Sequence, residues 1–278
     1  MSVALAELLL AGDLEDTINE QPYLWSDLLA RRNALGLQVE DLVTVLRVDL
    51  RKYRSRETGA LDVGFDLVDE LIAMEHFVSS ETERLMLAAP PAGTIILHAV
   101  VDQTEFESSY PSARTTRDLV PYPLSLQHVA VGRAAAALTR QGRDVEVHRG
   151  DRRADLTTRR LAVGLLKDET ARLLGLDGKK YAKFERSTAA PPAGLLAELQ
   201  AVDDFIDANA AVLEVADLDA ASVVLVVDDQ SDFVRAYPQA RTLRDGTPYP
   251  RRVHRVAAAR RARMIEASGS SARIAVDR

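Results

Sequence analysis

The 278-residue sequence contains no cysteine, and this absence sets the first limits on its chemistry. Without thiols the chain has no disulfide, no thiolate metal ligand and no cysteine nucleophile. This fits a reducing compartment, and we expect a cytoplasmic protein. Aromatic residues are scarce at 5%, whereas 47% hydrophobic and 28% charged residues are typical of globular chains. The length allows about two domains.

Long apolar runs are also missing. No stretch approaches the ~18 apolar residues that a membrane-spanning helix needs, so we expect no membrane partner. Residues 3–11 are apolar, but they lack a basic leader and soon meet Asp13, Glu15 and Asp16. This pattern argues against a signal peptide. We predict instead a helical N-terminal extension, residues 1–24, that lies on the fold.

Patterns of catalytic residues are absent as well. The five histidines lack the spacing of metal ligands, and no paired carboxylates, nucleophile constellation or glycine-rich phosphate loop occurs. We therefore expect no enzyme activity, no cofactor and no metal site. The formal net charge is −7, so binding to DNA would depend on local basic surfaces.

What the sequence does contain is an internal repeat. Residues 31–59 recur without a gap as residues 159–187. The residues identical in both are Arg31, Arg32, Ala34, Gly36, Leu37, Leu46, Asp49, Lys52, Tyr53 and Glu57, which fall on Arg159, Arg160, Ala162, Gly164, Leu165, Leu174, Asp177, Lys180, Tyr181 and Glu185. A constant offset indicates a duplicated module rather than chance similarity.

Each repeat predicts a bundle of helices. The spacing of Val39, Leu42, Val43 and Leu46 gives a second helix one buried face, after a first helix at 27–33. Asp49, repeated as Asp177, is a good N-cap for a third helix. A fourth helix at 65–78 carries an apolar stripe that we assign to the core. The stripe is Leu67, Leu71, Met74 and Val78, repeated as Leu195, Leu199, Val202 and Ile206.

The duplication continues into a second, strand-containing part. Phe106 and Tyr110-Pro111 return, one residue closer, as Phe233 and Tyr237-Pro238, which a deletion in a loop at 79–92 would explain. The predicted elements are buried strands at 94–101 and 222–227, long helices at 125–140 and 251–267, and closing strands at 144–148 and 272–276. Because two strands are marginal alone, we expect both copies to complete one shared sheet across an internal pseudo-twofold interface.

Both repeats resemble the helix-turn-helix of Cro and lambda-repressor (XRE) type regulators. The matching residues are Leu37, Glu40, Asp41, Leu42, Leu46, Val48, Glu57 and Gly59, and Leu165, Glu169, Ala171, Leu173, Leu174, Gly175, Leu176, Tyr181, Lys183, Phe184, Glu185 and Arg186. The helix-two glutamine of the family is Val39 or Lys167 here. The turn glycine is Arg47 in the first repeat.

The strand-containing part, with its F-x-x-x-Y-P pattern, resembles that of the anti-CRISPR-associated autorepressors of the second class. Those are single modules that dimerise through this part. The resemblance implies an α+β, mainly α fold: two tandem helix-turn-helix bundles, each followed by a small strand-helix-strand dimerisation part, forming an intramolecular pseudo-dimer. The implied boundaries are 25–79, 80–150, 151–207 and 208–278.

Cations dominate both predicted third helices although the chain is acidic, as DNA contact requires. A solvated face is the plainer explanation of such runs. Arginine and lysine can pair with guanine O6 and N7, so the base-edge candidates are Arg51, Lys52, Lys179 and Lys180. The phosphate candidates are Arg54, Lys183 and Arg186, and Ser55 and Arg56 complete the DNA-binding set. Gly178, where the first copy has Leu50, suggests unequal half-sites.

Two further basic groups leave alternatives open. The last long helix carries Arg251, Arg252, His254, Arg255, Arg260, Arg261 and Arg263, which form either a phosphate or partner patch or a solvated or salt-bridged face. After the Tyr-Pro turns come Arg114, Arg117, Arg241 and Arg244. We expect these four to hold loop carboxylates or carbonyls, with phosphate contact as the alternative.

The sequence therefore favours a bacterial or phage transcriptional regulator, in particular a repressor, that binds an imperfect palindrome in double-stranded DNA. The alternative is a protein-interaction module that keeps the fold but has lost DNA binding, such as a phage inhibitor or an antitoxin-like partner. The acidic net charge, Val39 and Arg47 motivate this alternative. Further homodimerisation of the fused chain stays open.

Overall fold

The computed structural model describes residues 23–217 and 221–277. The predicted N-terminal extension, with its apolar run at 3–11, lies outside the described residues except for Tyr23 and Leu24. Of the helices described, none is long and apolar enough to cross a membrane.

The duplicated unit builds the same order of elements twice, apart from two short strands that are described in the second copy alone. The first copy, residues 23–150, forms α1 (Trp25–Ala34), α2 (Val39–Leu46), α3 (Leu50–Glu57), α4 (Phe65–Leu87), β1 (Ile95–His98), α5 (Gln103–Ser109), α6 (Ser125–Arg140) and β2 (Val145–Arg149). The second copy, residues 151–277, forms β3 (Arg152–Arg153), α7 (Asp155–Ala162), α8 (Lys167–Leu173), α9 (Gly178–Glu185), α10 (Ala193–Val212), β4 (Val215–Asp217), β5 (Ser222–Val227), α11 (Gln230–Ala236), α12 (Arg252–Ala267) and β6 (Ala272–Asp277). The chain is mixed α+β and mainly helical, as the sequence predicted.

The predicted bounds hold for most elements, and α4 is the main exception. The sequence predicted that this helix ends at residue 78, but it continues to Leu87. Glu81 and Leu85 extend its buried face, and the Glu81 carboxylate accepts a 2.7 Å hydrogen bond from Arg84 one turn later. The predicted loop at 79–92 therefore begins only after Leu87. The stripe of Leu67, Leu71, Met74 and Val78 is buried, which confirms its assignment to the core.

The expected shared sheet is wrong, because the strands form two separate three-stranded sheets. One has the order β1-β2-β3 and the other β4-β5-β6. In each, the two strands predicted from the sequence pair in parallel across a long helix, and a short antiparallel strand adds a third. The third strands, β3 and β4, have only two and three residues, too few for alternation to reveal them.

Helices join the two copies instead. The first helix of each copy packs on the long helix of the other, α1 against α12 and α7 against α6. A buried aspartate secures each crossing: Asp27 accepts the backbone N–H of Ile274 at 2.8 Å, and Asp155 accepts that of Val147 at 3.0 Å. Both contacts link the start of a helix to a closing strand of the other copy, so the interface has approximate twofold symmetry.

Candidate nucleic-acid interface

The third helix of the first copy, α3, is fixed by its cap and by a buried tyrosine. Asp49 accepts the backbone N–H of Lys52 at 2.9 Å, which satisfies one of the free donors at a helix N-terminus. Tyr53 is fully buried and donates its hydroxyl to Glu57 at 3.0 Å. Glu57 in turn pairs with Arg32 of α1 at 2.5 Å. These contacts hold the inner side of α3, so its other side faces outward.

The second copy repeats this arrangement in α9. Asp177 caps the backbone N–H of Lys180 at 2.9 Å. Buried Tyr181 donates to Glu185 at 2.9 Å, and Glu185 pairs with Arg160 at 2.8 Å. Burial is the main reason why the pKa values of Tyr53 and Tyr181 are raised, so both phenols stay neutral donors. Both predicted N-caps are confirmed.

The turn before each third helix needs a left-handed residue. Arg47 takes this conformation at φ 51° and ψ 45°, and Gly175 takes it at φ 64°. A side chain at such a φ is crowded by the following carbonyl, whereas glycine adopts it freely. The first copy therefore keeps the turn without the residue best suited to it.

The predicted site residues fall on α3 and α9 or just beyond, and most point into solvent. Arg51, Lys52, Arg54, Lys179, Lys180, Lys183 and Arg186 are exposed, and Ser55 and Arg56 are half-buried. Some side chains are engaged: Arg54 pairs with Glu40 at 2.9 Å, and Arg56 donates to the Asp62 carbonyl at 3.2 Å. Arg186 donates Nε to the Ala182 carbonyl at 3.1 Å.

Within 23–217 and 221–277, six cations make no side-chain hydrogen bond or ion pair. One is Arg47, in the turn before α3, and the other five are Arg51, Lys52, Lys179, Lys180 and Lys183. Of these five, the first two lie on α3 and the last three on α9. An unpaired exposed cation keeps its field available to an anionic partner.

The basic cluster of α12 behaves differently, because three of its arginines pair with carboxylates and the rest contact neutral groups of the protein. Arg260 pairs with Asp203 at 2.7 Å and with Asp207, Arg255 pairs with Asp228, and Arg252 pairs with Glu169 at 3.0 Å. Burial lowers the pKa of His254 to about 4, so this ring is neutral near pH 7. Arg251 and Arg261 donate to the backbone carbonyls of Asp228 and Ala211, and Arg263 contacts the His76 ring. The salt-bridged alternative holds for Arg252, Arg255 and Arg260, whereas the other three arginines have neutral partners.

The arginines after the Tyr-Pro turns hold their loops, as expected. Arg114 donates to the Pro111 carbonyl at 3.0 Å, and Arg241 donates to the Pro238 carbonyl at the same distance. Sequence reasoning missed the carboxylates on which these loops dock. Glu70 accepts the backbone N–H of Arg117 at 3.0 Å, and Glu198 accepts that of Arg244 at 2.7 Å. The signal was present, since both glutamates keep the offset of the repeat.

Sequence reasoning also missed a basic turn that the fold brings to α9. Residues 149–153 join β2 to β3, and the backbone N–H of Arg153 donates to the Ser187 carbonyl at 3.2 Å, two residues beyond α9. A cleft of about 400 Å³ lies between this turn and the end of α9. The short β2-β3 pairing and the Arg153–Ser187 bond create this proximity, and two-residue strands show no pattern in a sequence.

Comparison with protein-family models, curated proteins and solved structures gives no match. Over the described residues, no three side chains among His, Asp and Glu are arranged to hold a metal ion. What the described surface does offer is unpaired positive charge on two corresponding helices, and its chemistry is that of anion binding.

Proposed function

We propose that this protein is a sequence-specific DNA-binding transcriptional regulator, and in particular a repressor, that carries two helix-turn-helix units in one chain. In this proposal α3 and α9 are the recognition helices. They would enter successive major grooves about 34 Å apart, on an imperfect palindrome.

The observation that carries the proposal is the selective exposure of positive charge. The chain has 42 acidic and 35 basic residues, and three arginines of α12, Arg252, Arg255 and Arg260, are paired with carboxylates. The cations at the start of α3 and α9, in contrast, are exposed and unpaired among the described residues. Clustered free cations on two corresponding helices are the electrostatic footprint of a polyanionic ligand, and this contrast supports one.

Local helix geometry supports the same conclusion. In both copies a left-handed turn links the second helix to a third helix whose N-terminus is capped by aspartate. The recognition helix of helix-turn-helix proteins contacts bases with its N-terminal residues. The first-turn residues are Arg51 and Lys52 in one copy, and Lys179 and Lys180 in the other.

The interlocked helices support an intramolecular pseudo-dimer. Because each first helix packs on the long helix of the other copy, the two third helices keep a fixed relation without a second chain. Linking two binding units raises the effective concentration of the second unit at its half-site. The operator we expect is asymmetric, since Leu50 and Gly178 differ at the first position of the recognition helices.

A mobility-shift assay with DNA from upstream of the protein's own gene tests the proposal. Replacing Arg51 and Lys52 by glutamate, or Lys179 and Lys180 by glutamate, should weaken binding by roughly 100-fold, because each base-edge pair contributes ~1–3 kcal/mol. Arg235→Glu is the control for charge reversal at an exposed position. Arg235 lies on α11, where it pairs with Asp232. Unchanged shifts for both double variants would refute the proposal.

The protein-interaction alternative makes the opposite prediction. Engagement of Arg54 by Glu40 and of Arg56 by the Asp62 carbonyl reduces the free charge of α3, and this observation favours that alternative for the first copy. Retention on DNA should then be absent or insensitive to salt, and a stoichiometric protein partner should co-purify. A DNA complex should instead weaken steeply between ~50 and ~200 mM salt.

A further inference from the structure

The basic turn at 149–153 is held rigidly beside α9. Residues His148 and Arg149 of β2 pair with Arg153 and Arg152 of β3. The backbone bond from Arg153 to Ser187 then ties this hairpin to the chain leaving α9. The position of the turn relative to α9 is therefore set by backbone hydrogen bonds.

Cations dominate the cleft between the turn and α9. Its walls carry five cationic side chains and two acidic ones. The cations are Arg149, Arg152, Arg153, Lys167 and Arg186, and the acids are Asp151 and Glu185. His128 also lines the cleft, but burial lowers its pKa to about 4, so it adds no charge near pH 7. The cleft as a whole is electropositive.

Within the turn, one arginine is neutralised and two are not. Arg153 pairs with Asp155 at 2.8 Å and with Glu146 at 3.2 Å. Arg149 donates to the Val101 carbonyl at 3.0 Å, a neutral acceptor that leaves its charge uncompensated. Arg152 lies 3.9 Å from Asp151 with both side chains largely exposed, and such a pair contributes little.

The opposite wall of the cleft adds two more cations. Lys167 lies 3.5 Å from Glu185, but that carboxylate already pairs with Arg160 at 2.8 Å. Arg186 meets only a carbonyl. Arg149 and Arg152 thus line the same cleft as Lys167 and Arg186, and its volume of about 400 Å³ is large enough for a phosphate group.

The first copy has no such cleft charge. At the positions that correspond to Arg152, Arg153, Lys167 and Arg186, it carries Leu24, Trp25, Val39 and Thr58. The chain leaving α3 packs against the Trp25 ring, and a Cβ on Gly59 would lie 3.0 Å from it. The corresponding residue after α9, Ser187, instead accepts the backbone N–H of Arg153. Among the described residues, these cleft cations therefore belong to the second copy.

We infer that this cleft binds a backbone phosphate of DNA, with Arg149 and Arg152 as contacts outside the recognition helix, so that the second copy is the electrostatic anchor of the complex. The inference rests on the proposed function. Phosphate contacts position a protein without reading sequence, and each one contributes to the salt dependence of binding. The first copy, without this anchor, depends more on its recognition helix.

The test is the salt dependence of binding to a fluorescein-labelled mixed-sequence duplex about three helical turns long. Fluorescence anisotropy gives the slope of log Kobs against log salt, which changes by ~0.9 for each phosphate contact. Arg149→Gln with Arg152→Gln should reduce the slope by about 1–2, and Arg235→Gln on α11 should leave it unchanged. Arg152→Gln alone controls for loss of the Arg149 bond to Val101. Thr58→Arg should increase the slope by adding a cation to the first copy.

The possible failures are distinguishable. If Lys179→Gln with Lys180→Gln weakens binding but the Arg149 and Arg152 variants keep the wild-type slope, the anchor is refuted and the regulator proposal stands. If neither pair of substitutions matters, both fail. If inorganic phosphate at constant ionic strength raises the Tm of the wild type but not of the double variant, while the duplex slope is unchanged, the cleft takes a free phosphate and the anchor is refuted.

Discussion

The two copies share a buried ion pair within each helix bundle but differ at the arginine beside it. Arg32 with Glu57 in one copy and Arg160 with Glu185 in the other form the same buried pair. Arg31 and Arg159, one position earlier, do not share partners. Arg31 pairs with Glu75 at 2.7 Å and with Glu266 of the other copy.

Arg159 has neutral partners instead. It donates to the Gln200 amide oxygen at 2.7 Å and to the Thr139 hydroxyl at 2.8 Å. Both arginines are buried, so the same side chain faces carboxylates on one side of the pseudo-twofold axis and neutral groups on the other. The comparison shows that two similar halves of one chain can carry different chemistry at corresponding positions.

Replacing each arginine by methionine tests this contrast and should give the largest effect. Arg31→Met leaves two carboxylates without their cation, and breaking a buried pair in this way costs ~3–5 kcal/mol. Arg159→Met leaves only neutral acceptors, so we expect a loss of about 1–2 kcal/mol. Urea denaturation near pH 8 measures both, and equal losses would contradict the contrast.

The pH dependence of these losses sharpens the comparison. Burial raises the pKa of Glu75 from 4.5 to about 7, although Arg31 opposes the shift. Because the pKa of Glu75 is higher in the folded protein than in the unfolded chain, protonation of Glu75 increases the free energy of unfolding. This contribution is complete at pH values below the unfolded pKa and is lost as the pH rises through about 7. Protonation of Glu75 removes the unpaired charge, so the loss in Arg31→Met should be smaller at about pH 5.5 than at about pH 8. The loss of stability in Arg159→Met should change less between these two pH values. If the loss in Arg31→Met does not depend on pH, the role of Glu75 is refuted.

The glycines at the crossing of the copies give the next largest effect. Gly164 has φ 70°, and a Cβ there would lie 2.4 Å from the Asn33 carbonyl. At Gly36, with φ 63°, the Cβ would lie 2.8 Å from the Leu161 carbonyl. Left-handed strain costs ~1–2 kcal/mol and overpacking adds ~1–3 kcal/mol. Gly164→Ala should therefore destabilise by about 3 kcal/mol and Gly36→Ala by about 2 kcal/mol.

Gly142 is the matched control for both substitutions. Its φ is 78°, but nothing lies within 4 Å of an added Cβ. Gly142→Ala should cost only the strain of about 1 kcal/mol in urea denaturation. If Gly36→Ala, Gly164→Ala and Gly142→Ala all lower the free energy of unfolding equally, the close backbone contacts between the two copies do not determine the loss of stability.

Helices were predictable from the sequence because periodicity and caps are local. Ser125–Arg140 matches its predicted span, and Asp49 and Asp177 cap as expected. Sheet pairing was not predictable, since β3 and β4 are too short to show alternation. The expectation of one shared sheet failed for this reason.

For the candidate interface, the sequence could predict which helices carry cations but not which cations are free. Arg260 is neutralised by Asp203, 57 residues away along the chain, and no local pattern encodes that pairing. Arg149 and Arg152 were missed because their place beside α9 depends on a hairpin of two residue pairs. Whether α3 and α9 bind DNA stays a prediction.

The smallest expected effect concerns the turn before each third helix, where the copies differ by one residue. Arg47→Gly should remove left-handed strain of ~1–2 kcal/mol, offset by ~0.5–1 kcal/mol from the greater backbone freedom of glycine in the unfolded chain. We therefore expect a net stabilisation of about 0.5–1 kcal/mol in urea denaturation. Gly175→Ala should act in the opposite direction, because φ is 64° and an added Cβ would lie 2.2 Å from the Arg244 guanidinium, which has to shift. Destabilisation by Arg47→Gly would mean that the arginine side chain itself holds the turn, and the two copies would then build the same bend by different means.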